Sequence, residues 1–245
     1  MITQVKIQLS SQEKIRISSD FAYNIYGVWM DALKPEYADY VHETHPMNQF
    51  LTVNRTNPDT ALLTINLLTV QAAEYMLPVL KNTRQYHLTK HNCTLSAREP
   101  VIIIITEEEL VNSYFTSPQY SNRVTLQLMS PTTFKTNSHY AIFPTPELII
   151  QSTVAKFNML GLSVNVEDEL AVQQLMENTM ITNYHLNSTR YYFKDTRIQS
   201  FVGSVTLCIH GSEPMVRLFS MLMGALRYTG LGIKTSLGMG GVEII

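Results

Sequence analysis

The sequence predicts an α+β protein made of two consecutive modules that share one element order. The chain has 245 residues, a length that suits two small domains, and 45% of them are apolar, which is enough to fill two cores. Alternating and helically spaced apolar residues give the order β, α, β, β, α, β, and then the same order again. This is the order of the ferredoxin-like unit. We therefore predict two tandem ferredoxin-like (βαββαβ) domains, over residues 1–116 and 117–245.

The first module is predicted from the spacing of its apolar residues. Residues 2–9 alternate and favour a strand, and Asp20 can cap a helix that begins near Phe21. Pro35 ends that helix and opens a shorter one that ends near His42. The remaining predicted elements are two strands joined by a turn, a helix and the most apolar strand of the chain: 50–53, 62–67, 71–80 and 101–105.

The second module follows a short helix over 107–115 and a linker over 117–122. Its most regular element is a helix over 213–228, and a short strand over 242–245 closes the chain. The elements before that helix are predicted as a strand, a turn-like segment, a helix, an irregular acidic stretch and two paired strands: 123–129, 130–135, 146–160, 161–187, 190–194 and 199–209.

Composition excludes several classes of protein. No apolar run reaches the roughly 18 residues that a membrane span needs. Cys93 and Cys208 are too few for a disulfide framework or a zinc site, so we expect reduced thiols and a cytoplasmic protein. Metal-ligand spacing is missing as well, since the consecutive acids 107–109 diverge on a helix. We expect no metal and no cofactor.

The formal net charge of −2 argues against nucleic-acid binding unless the charges are unevenly distributed. Two short runs, 107–109 and 167–169, hold six of the twenty acidic residues. Basic residues are instead frequent in the last quarter of the chain, among them Arg190, Lys194 and Arg197. The distribution therefore allows a local basic surface in the second module.

The most informative stretch is a glycine-rich loop between the last helix and the last strand. Five of the ten glycines fall within residues 230–241, and Lys234 and Ser236 add a charge and a hydroxyl. Such a loop can turn N–H groups toward a phosphate. The ATP-binding P-loop needs glycines where Ile233 and Tyr228 stand, so it does not fit. A flexible connector is the plain alternative.

The second module contains the glycine loop and three shorter motifs that precede it in the sequence. The loop reads G-x-G-x-K-x-S-x-G-x-G-G-V, and it is preceded by S-P-T-T-F-K, F-P-T-P and F-V-G-S-V at 130–135, 143–146 and 201–205. Together they resemble the CRISPR repeat-processing endoribonucleases of the RAMP superfamily. The first module adds Tyr26 and His42, which stand where that family places catalytic residues.

The resemblance implies metal-independent cleavage of precursor CRISPR RNA within its repeats. The ribose 2′-OH attacks the adjacent phosphorus and leaves a 2′,3′-cyclic phosphate and a 5′-OH. His42 is the predicted catalytic residue, as base or as acid, with Tyr26 beside it and His45 as the fallback. Taken alone, Tyr26 is as well explained as a core aromatic. Some members carry a lysine where this chain has residues 47–49, so Lys234, Arg55 or the geometry of the RNA itself is left to stabilise the phosphorane charge.

RNA binding is predicted for the glycine loop and the paired strands. The predicted contacts are Gly230, Gly232, Lys234, Ser236, Gly238, Gly240, Gly241, Arg190, Lys194 and Arg197. The rivals are a non-catalytic RAMP subunit that holds RNA without cutting it, and a nucleotide-dependent enzyme that binds ATP through Lys234. The sequence leaves open whether the protein joins a CRISPR effector complex or forms a homodimer.

Overall fold

The structure is a computed structural model that describes residues 1–11, 13, 15–44, 48–194 and 196–245. The chain divides into two compact units. Unit 1 comprises Met1–Ile104 with Ser236–Gly238, and unit 2 comprises Ile105–Thr235 with Met239–Ile245.

Unit 1 contains one antiparallel sheet and three helices. Its elements are β1 (Ile2–Ser11), α1 (Phe21–Ala32), α2 (Pro35–Thr44), β2 (Gln49–Asn57), β3 (Thr60–Leu67), α3 (Val70–Asn82), β4 (Gln85–Leu88), β5 (Cys93–Ala97) and β6 (Val101–Ile105). The strand order is β2-β3-β1-β5-β4, with β6 also paired to β1. Apart from the extra β4 and β6, this is the sheet of a ferredoxin-like unit.

The fourth position of this sheet is filled by a hairpin that the sequence did not predict. β5 pairs with β1 and with β4, and Asn92 makes the turn between the two short strands at φ 48°. β4 has four residues and buries only Tyr86 and Leu88, too few for a clear alternation. The predicted strand over 101–105 forms, but at the margin, where Val101 is 59% exposed.

Unit 2 contains a four-stranded antiparallel sheet, a small hairpin and four helices. Its elements are α4 (Glu107–Val111), β7 (Arg123–Thr132), β8 (Phe134–Thr136), β9 (His139–Ala141), α5 (Pro146–Asn158), α6 (Glu169–Asn178), β10 (Thr179–Phe193), β11 (Thr196–Ile209), α7 (Glu213–Thr229) and β12 (Val242–Ile244). The strand order β10-β11-β7-β12 is again that of the ferredoxin-like unit. The α+β class with two ferredoxin-like units is confirmed.

The prediction of an irregular stretch over 161–187 is wrong. Asp168 caps α6, because its carboxylate accepts the N–H groups of Leu170 and Ala171. β10 then runs for 15 residues, most of them exposed. An edge strand that is solvated on both faces lacks apolar alternation, so its sequence resembles a loop.

Buried side chains identify the core of each unit. In unit 1, the Trp29 indole N–H donates to the Tyr86 hydroxyl at 3.2 Å inside the core. In unit 2, Phe219 and Leu222 of α7 are fully buried. Cys93 and Cys208 are buried free thiols, as predicted. No helix in the described part of the chain is long and apolar enough to cross a membrane.

Candidate functional site

The glycine loop of unit 2 begins where α7 ends. The chain turns at Gly230, which has φ 69° and donates its N–H to the Leu226 carbonyl at 2.9 Å. The loop is closed at its base by the Leu231 N–H, which donates to the Gly240 carbonyl at 2.9 Å. Lys234 has φ 55°, a left-handed conformation that is uncommon outside glycine. The loop is therefore a closed, hydrogen-bonded structure rather than a flexible connector.

Residues 130–135 form the cradle of this loop. The Pro131 carbonyl accepts the Gly240 N–H at 3.0 Å, and the Thr133 carbonyl accepts the Ile233 N–H at 3.1 Å. The Ser130 hydroxyl accepts the Gly241 N–H at 2.8 Å. Our reading of this segment as a turn is wrong, because its first three residues continue β7 and are buried there.

Several loop glycines shape the loop instead of presenting free N–H groups. The N–H groups of Gly232, Gly240 and Gly241 all donate to protein oxygens, the first of them to the Ser152 hydroxyl at 2.9 Å. A Cβ on Gly232 would collide with the Thr133 carbonyl oxygen, and both glycines 232 and 240 have positive φ. These glycines are needed for close backbone approach. Residues 234–238, between Gly232 and Gly240, form the arm of the loop.

A buried lysine of α5 holds the loop from within unit 2. The Lys156 ammonium donates to the Thr229 carbonyl at 3.2 Å and to the Thr235 hydroxyl at 2.8 Å. The side chain is only 7% exposed, and burial lowers its pKa to about 7. Sequence reasoning missed this residue. Its signal was a lysine in helical register with Ile149 and Thr153, two other buried positions of α5.

Two lysines, Lys234 and Lys194, lie beside the aromatic ring of Phe193, and the charge of a third, Lys135, acts on Lys234. The Lys234 ammonium lies 4.1 Å from the ring centroid, and that of Lys194 lies at 5.7 Å. Burial lowers the pKa of Lys234, and the charges of Lys135 and Lys194 lower it further. Mutual repulsion of this kind favours an anion as the missing neighbour. Lys135 is a member that the sequence reasoning had not selected.

The hairpin of β10 and β11 carries the other predicted basic residues. Arg190 and Tyr192 are exposed, while Tyr191 between them is fully buried, so the two exposed side chains lie on the same face of β10. Arg197 lies opposite Tyr192 in the register, with its guanidinium carbon 5.7 Å from the ring centroid. A cation and an aromatic ring on one exposed face are suited to a phosphate and a base.

The F-V-G-S-V motif supports the same region from β11. The Phe201 ring is buried and lies 6.1 Å from that of Phe134, so it packs against the cradle segment. Gly203 has φ 125°, and the pairing of β11 with β7 shifts between these two positions of the motif. The shift is a β-bulge at this motif. A Cβ there would collide with the His185 carbonyl oxygen.

The two predicted catalytic residues lie on consecutive helices of unit 1. His42 is exposed on α2, one residue after the buried Val41. Tyr26 is half-buried on α1, and burial raises the pKa of its phenol, with a smaller contribution from Tyr23. The fallback residue, His45, lies outside the described residues, as does Met47.

Two other histidines of unit 1 have structural partners. His91 stacks on Phe21 with ring centroids 4.0 Å apart, and its Nε2 lies 2.9 Å from the Asn24 amide nitrogen. His87 contacts the Thr94 hydroxyl at 3.0 Å. These contacts explain both residues without catalysis. Among the described residues, no three His, Cys, Asp or Glu side chains gather as a metal site would require.

Two ferredoxin-like units, with a hydrogen-bonded glycine loop after the last helix of the second, define the RAMP class of protein. Comparisons with known proteins show which members of this class the chain resembles. The family model for the CRISPR-associated endoribonuclease Cas6 matches residues 126–242. The Cas6 endoribonuclease of Streptococcus thermophilus is 28% identical over 227 residues, which cover 93% of this chain and 92% of that protein.

A second curated relative and a solved structure agree. The Cas6 endoribonuclease of Mycobacterium tuberculosis is 21% identical over 237 residues, which cover 95% of this chain and 74% of that protein. A Cas6 product complex superposes with a TM-score of 0.81 at 19% identity, over the whole of both chains. This chain is therefore similar over most of its length to the Cas6 CRISPR-associated endoribonucleases, and its residues 126–242 match their family model.

Proposed function

We propose that this Cas6-type enzyme cleaves precursor CRISPR RNA within its repeats by attack of a ribose 2′-OH on the adjacent phosphorus. The bond from phosphorus to the 5′-oxygen breaks, so the products carry a 2′,3′-cyclic phosphate and a 5′-OH. The observation that carries the proposal is the glycine loop of unit 2. Its cradle at residues 130–135, and the Phe201 ring that packs against that cradle, lie in two of the motifs that carry the family resemblance.

His42 is proposed as the residue that transfers the proton. An imidazole can exchange a proton near neutral pH, and its exposure on α2 leaves it accessible to RNA. It acts as the base toward the 2′-OH or as the acid toward the leaving 5′-oxygen. Removal of such a group typically costs about 10²- to 10⁴-fold in rate.

Tyr26 is proposed as a hydrogen-bond donor to the reacting ribose or phosphate. Because burial raises the pKa of its phenol, the hydroxyl keeps its proton at neutral pH. A protonated phenol can donate to a phosphate oxygen but is a poor base. The charge on the phosphorane is assigned to Lys234, Arg55 or the geometry of the RNA itself, the three alternatives that the sequence left open.

RNA binding is proposed for the arm of the glycine loop and for the basic hairpin. Gly230, Gly232, Gly240 and Gly241 hold the loop in shape, and Lys234, Ser236 and Gly238 lie on the arm that faces a phosphate. Arg190, Lys194 and Arg197 are proposed to contact the RNA backbone beside the exposed Tyr192. No cofactor takes part.

We propose a cytoplasmic location and two kinds of assembly for this protein. Buried free thiols agree with a cytoplasmic location. Association with a CRISPR effector complex and formation of a homodimer remain proposals, and light scattering of the purified protein with and without RNA would measure the second.

The test is cleavage of repeat RNA in EDTA under single-turnover conditions. We expect the wild-type protein to cut, and His42→Ala to cut about 10²-fold or more slowly with unchanged RNA affinity. His210→Ala is the matched control, because His210 is also exposed but lies after β11. Equal rates for wild type and His42→Ala would remove His42 from the chemistry. Tight binding without any cleavage would make the protein a non-catalytic RNA holder.

A further inference from the structure

A lysine with no role in the proposed chemistry lies against the glycine loop. Lys156 is 7% exposed. Its ammonium donates to the Thr229 carbonyl, just before the loop, and to the Thr235 hydroxyl within it. The first acceptor is the last residue of α7, and the second is in the short 3₁₀ turn over 235–237. One ammonium group therefore fixes the separation between the end of the helix and the arm of the loop.

Helix α5 makes a second contact one turn earlier. The Ser152 hydroxyl accepts the Gly232 N–H at 2.9 Å, four residues before Lys156 on the same helical face. A rigid helix thus contacts the loop at three points through two side chains. Loop geometry is set by α5 as well as by the cradle at residues 130–135.

Among the described residues of unit 2, no acidic side chain pairs with the Lys156 ammonium. Burial is the only cause of its lowered pKa. The neighbouring elements of the described chain that pack on α5, together with α5 and the loop, carry these charged or titratable side chains: Glu147, Glu169, Glu177, Tyr184, His185, Arg190, Tyr191, Tyr192, Glu213, Arg217, Arg227, Tyr228 and Lys234. None of them contributes to the lowered pKa.

A buried charge without an opposite charge destabilises a fold and is retained only where another gain offsets the cost. An anion held by the loop would provide the opposite charge for the Lys156 ammonium. An RNA phosphate at the arm over 234–238 would supply it across a short, poorly screened distance.

We propose that Lys156 is a positioning residue, which holds the glycine loop in its phosphate-binding shape and places a buried positive charge behind the bound phosphate. This inference rests on the proposed function, because it assumes that the loop binds RNA. It assigns Lys156 no contact with the reacting atoms.

Proton uptake on RNA binding is the consequence that a purely structural lysine would not show. A phosphate beside the ammonium favours its charged form, so the bound complex keeps a proton that the free protein loses above pH 7. Between pH 7 and pH 9, the Kd for RNA rises by up to about tenfold per pH unit through this residue.

The experiment measures the Kd of a fluorescein-labelled repeat RNA, from the CRISPR array of the same genome, between pH 6 and pH 9 at fixed ionic strength. The protein carries His42→Ala, so that the RNA stays intact and the imidazole cannot titrate. Lys156→Met is compared with the matched control Lys81→Met, which removes the same charge from the exposed face of α3. The pKa of Lys234 is lowered too, and Lys234 is present in both variants. The test is therefore the difference between the Kd-against-pH profiles of Lys156→Met and Lys81→Met.

We expect Lys156→Met to raise the Kd about tenfold or more at pH 7 and to flatten the profile, whereas Lys81→Met leaves both unchanged. With His42 restored, Lys156→Met raises KM much more than it lowers kcat. Thr235→Val, which keeps the charge but loses the hydroxyl acceptor, weakens binding and retains the pH slope. If Lys156→Met does not fold, Thr235→Val tests the role of Lys156 in its place.

Three outcomes separate the claims. A folded Lys156→Met protein with wild-type Kd and slope overturns the inference. Where that variant does not fold, wild-type binding by Thr235→Val overturns it instead. If the His42→Ala protein does not bind repeat RNA at any pH, the proposed function fails and not merely the role of Lys156.

Discussion

The free energy of unfolding depends on pH through one buried side chain. This side chain is Lys156, whose pKa falls from 10.5 to about 7 on folding because of burial. A lysine whose pKa is lowered on folding binds fewer protons in the native state than in the unfolded state at any pH between these two values. Stability therefore rises with pH across this window, and the cost of the buried charge is fully present below about pH 7.

The magnitude follows from this shift. Each pH unit inside the window is worth about 1.4 kcal/mol for one proton. Raising the pH from 6 to 9 should therefore increase the free energy of unfolding by about 2.5 kcal/mol through Lys156. Lys156→Met adds a constant offset, because the acceptors Thr229 and Thr235 lose their donor, but it removes the dependence on pH.

The assay is urea unfolding followed by circular dichroism at pH 6, 7, 8 and 9, with the same series for Lys156→Met. Other groups titrate in both proteins, so we compare the difference between the two free energies at each pH. That difference should change by about 2.5 kcal/mol in favour of the wild type as the pH rises. A difference that stays constant within about 0.5 kcal/mol would refute the account of Lys156 as a buried, uncompensated charge.

Three further predictions concern the loop, the aromatic residue of α1 and the lysine group. Gly240→Ala should cost about 2 kcal/mol or more in urea unfolding, since it combines positive φ with a collision at the Leu231 carbonyl, whereas Gly27→Ala, inside α1 with open space around it, should stabilise by roughly 1 kcal/mol. Tyr26→Phe should slow single-turnover cleavage about tenfold or more without a change in melting temperature, because it removes only the hydroxyl; an unchanged rate would leave it as a core aromatic. Lys135→Met should raise the Kd for RNA and reduce its salt dependence by about one phosphate contact, and an unchanged salt slope would contradict its membership of the group.

Much of the fold could be predicted because its main elements have clear periodicity. The apolar stripe of α7 and the alternation of β1 are strong local signals, and both elements form where they were expected. β4 and β10 could not be recovered in this way. The first alternates over only four residues, too few to predict a strand, and the second is exposed over most of its length, so it lacks a regular apolar alternation.

The glycine loop was predictable and its supports were not. A run of glycines with a lysine is visible in the sequence itself, whereas the partners Ser130, Ser152 and Lys156 lie 79 to 111 positions away along the chain. Their role follows from tertiary contacts alone. Lys156 did leave a trace, because a lysine on the buried face of α5 has to find acceptors inside the protein.

The most direct measurement of the central claim is the mass of the upstream fragment after repeat RNA is cleaved in H₂¹⁸O with EDTA present. Attack by the ribose 2′-OH predicts a fragment that ends in a 2′,3′-cyclic phosphate without ¹⁸O. A fragment that ends in a free 3′-OH, with ¹⁸O on the 5′-phosphate of the downstream product, would contradict it.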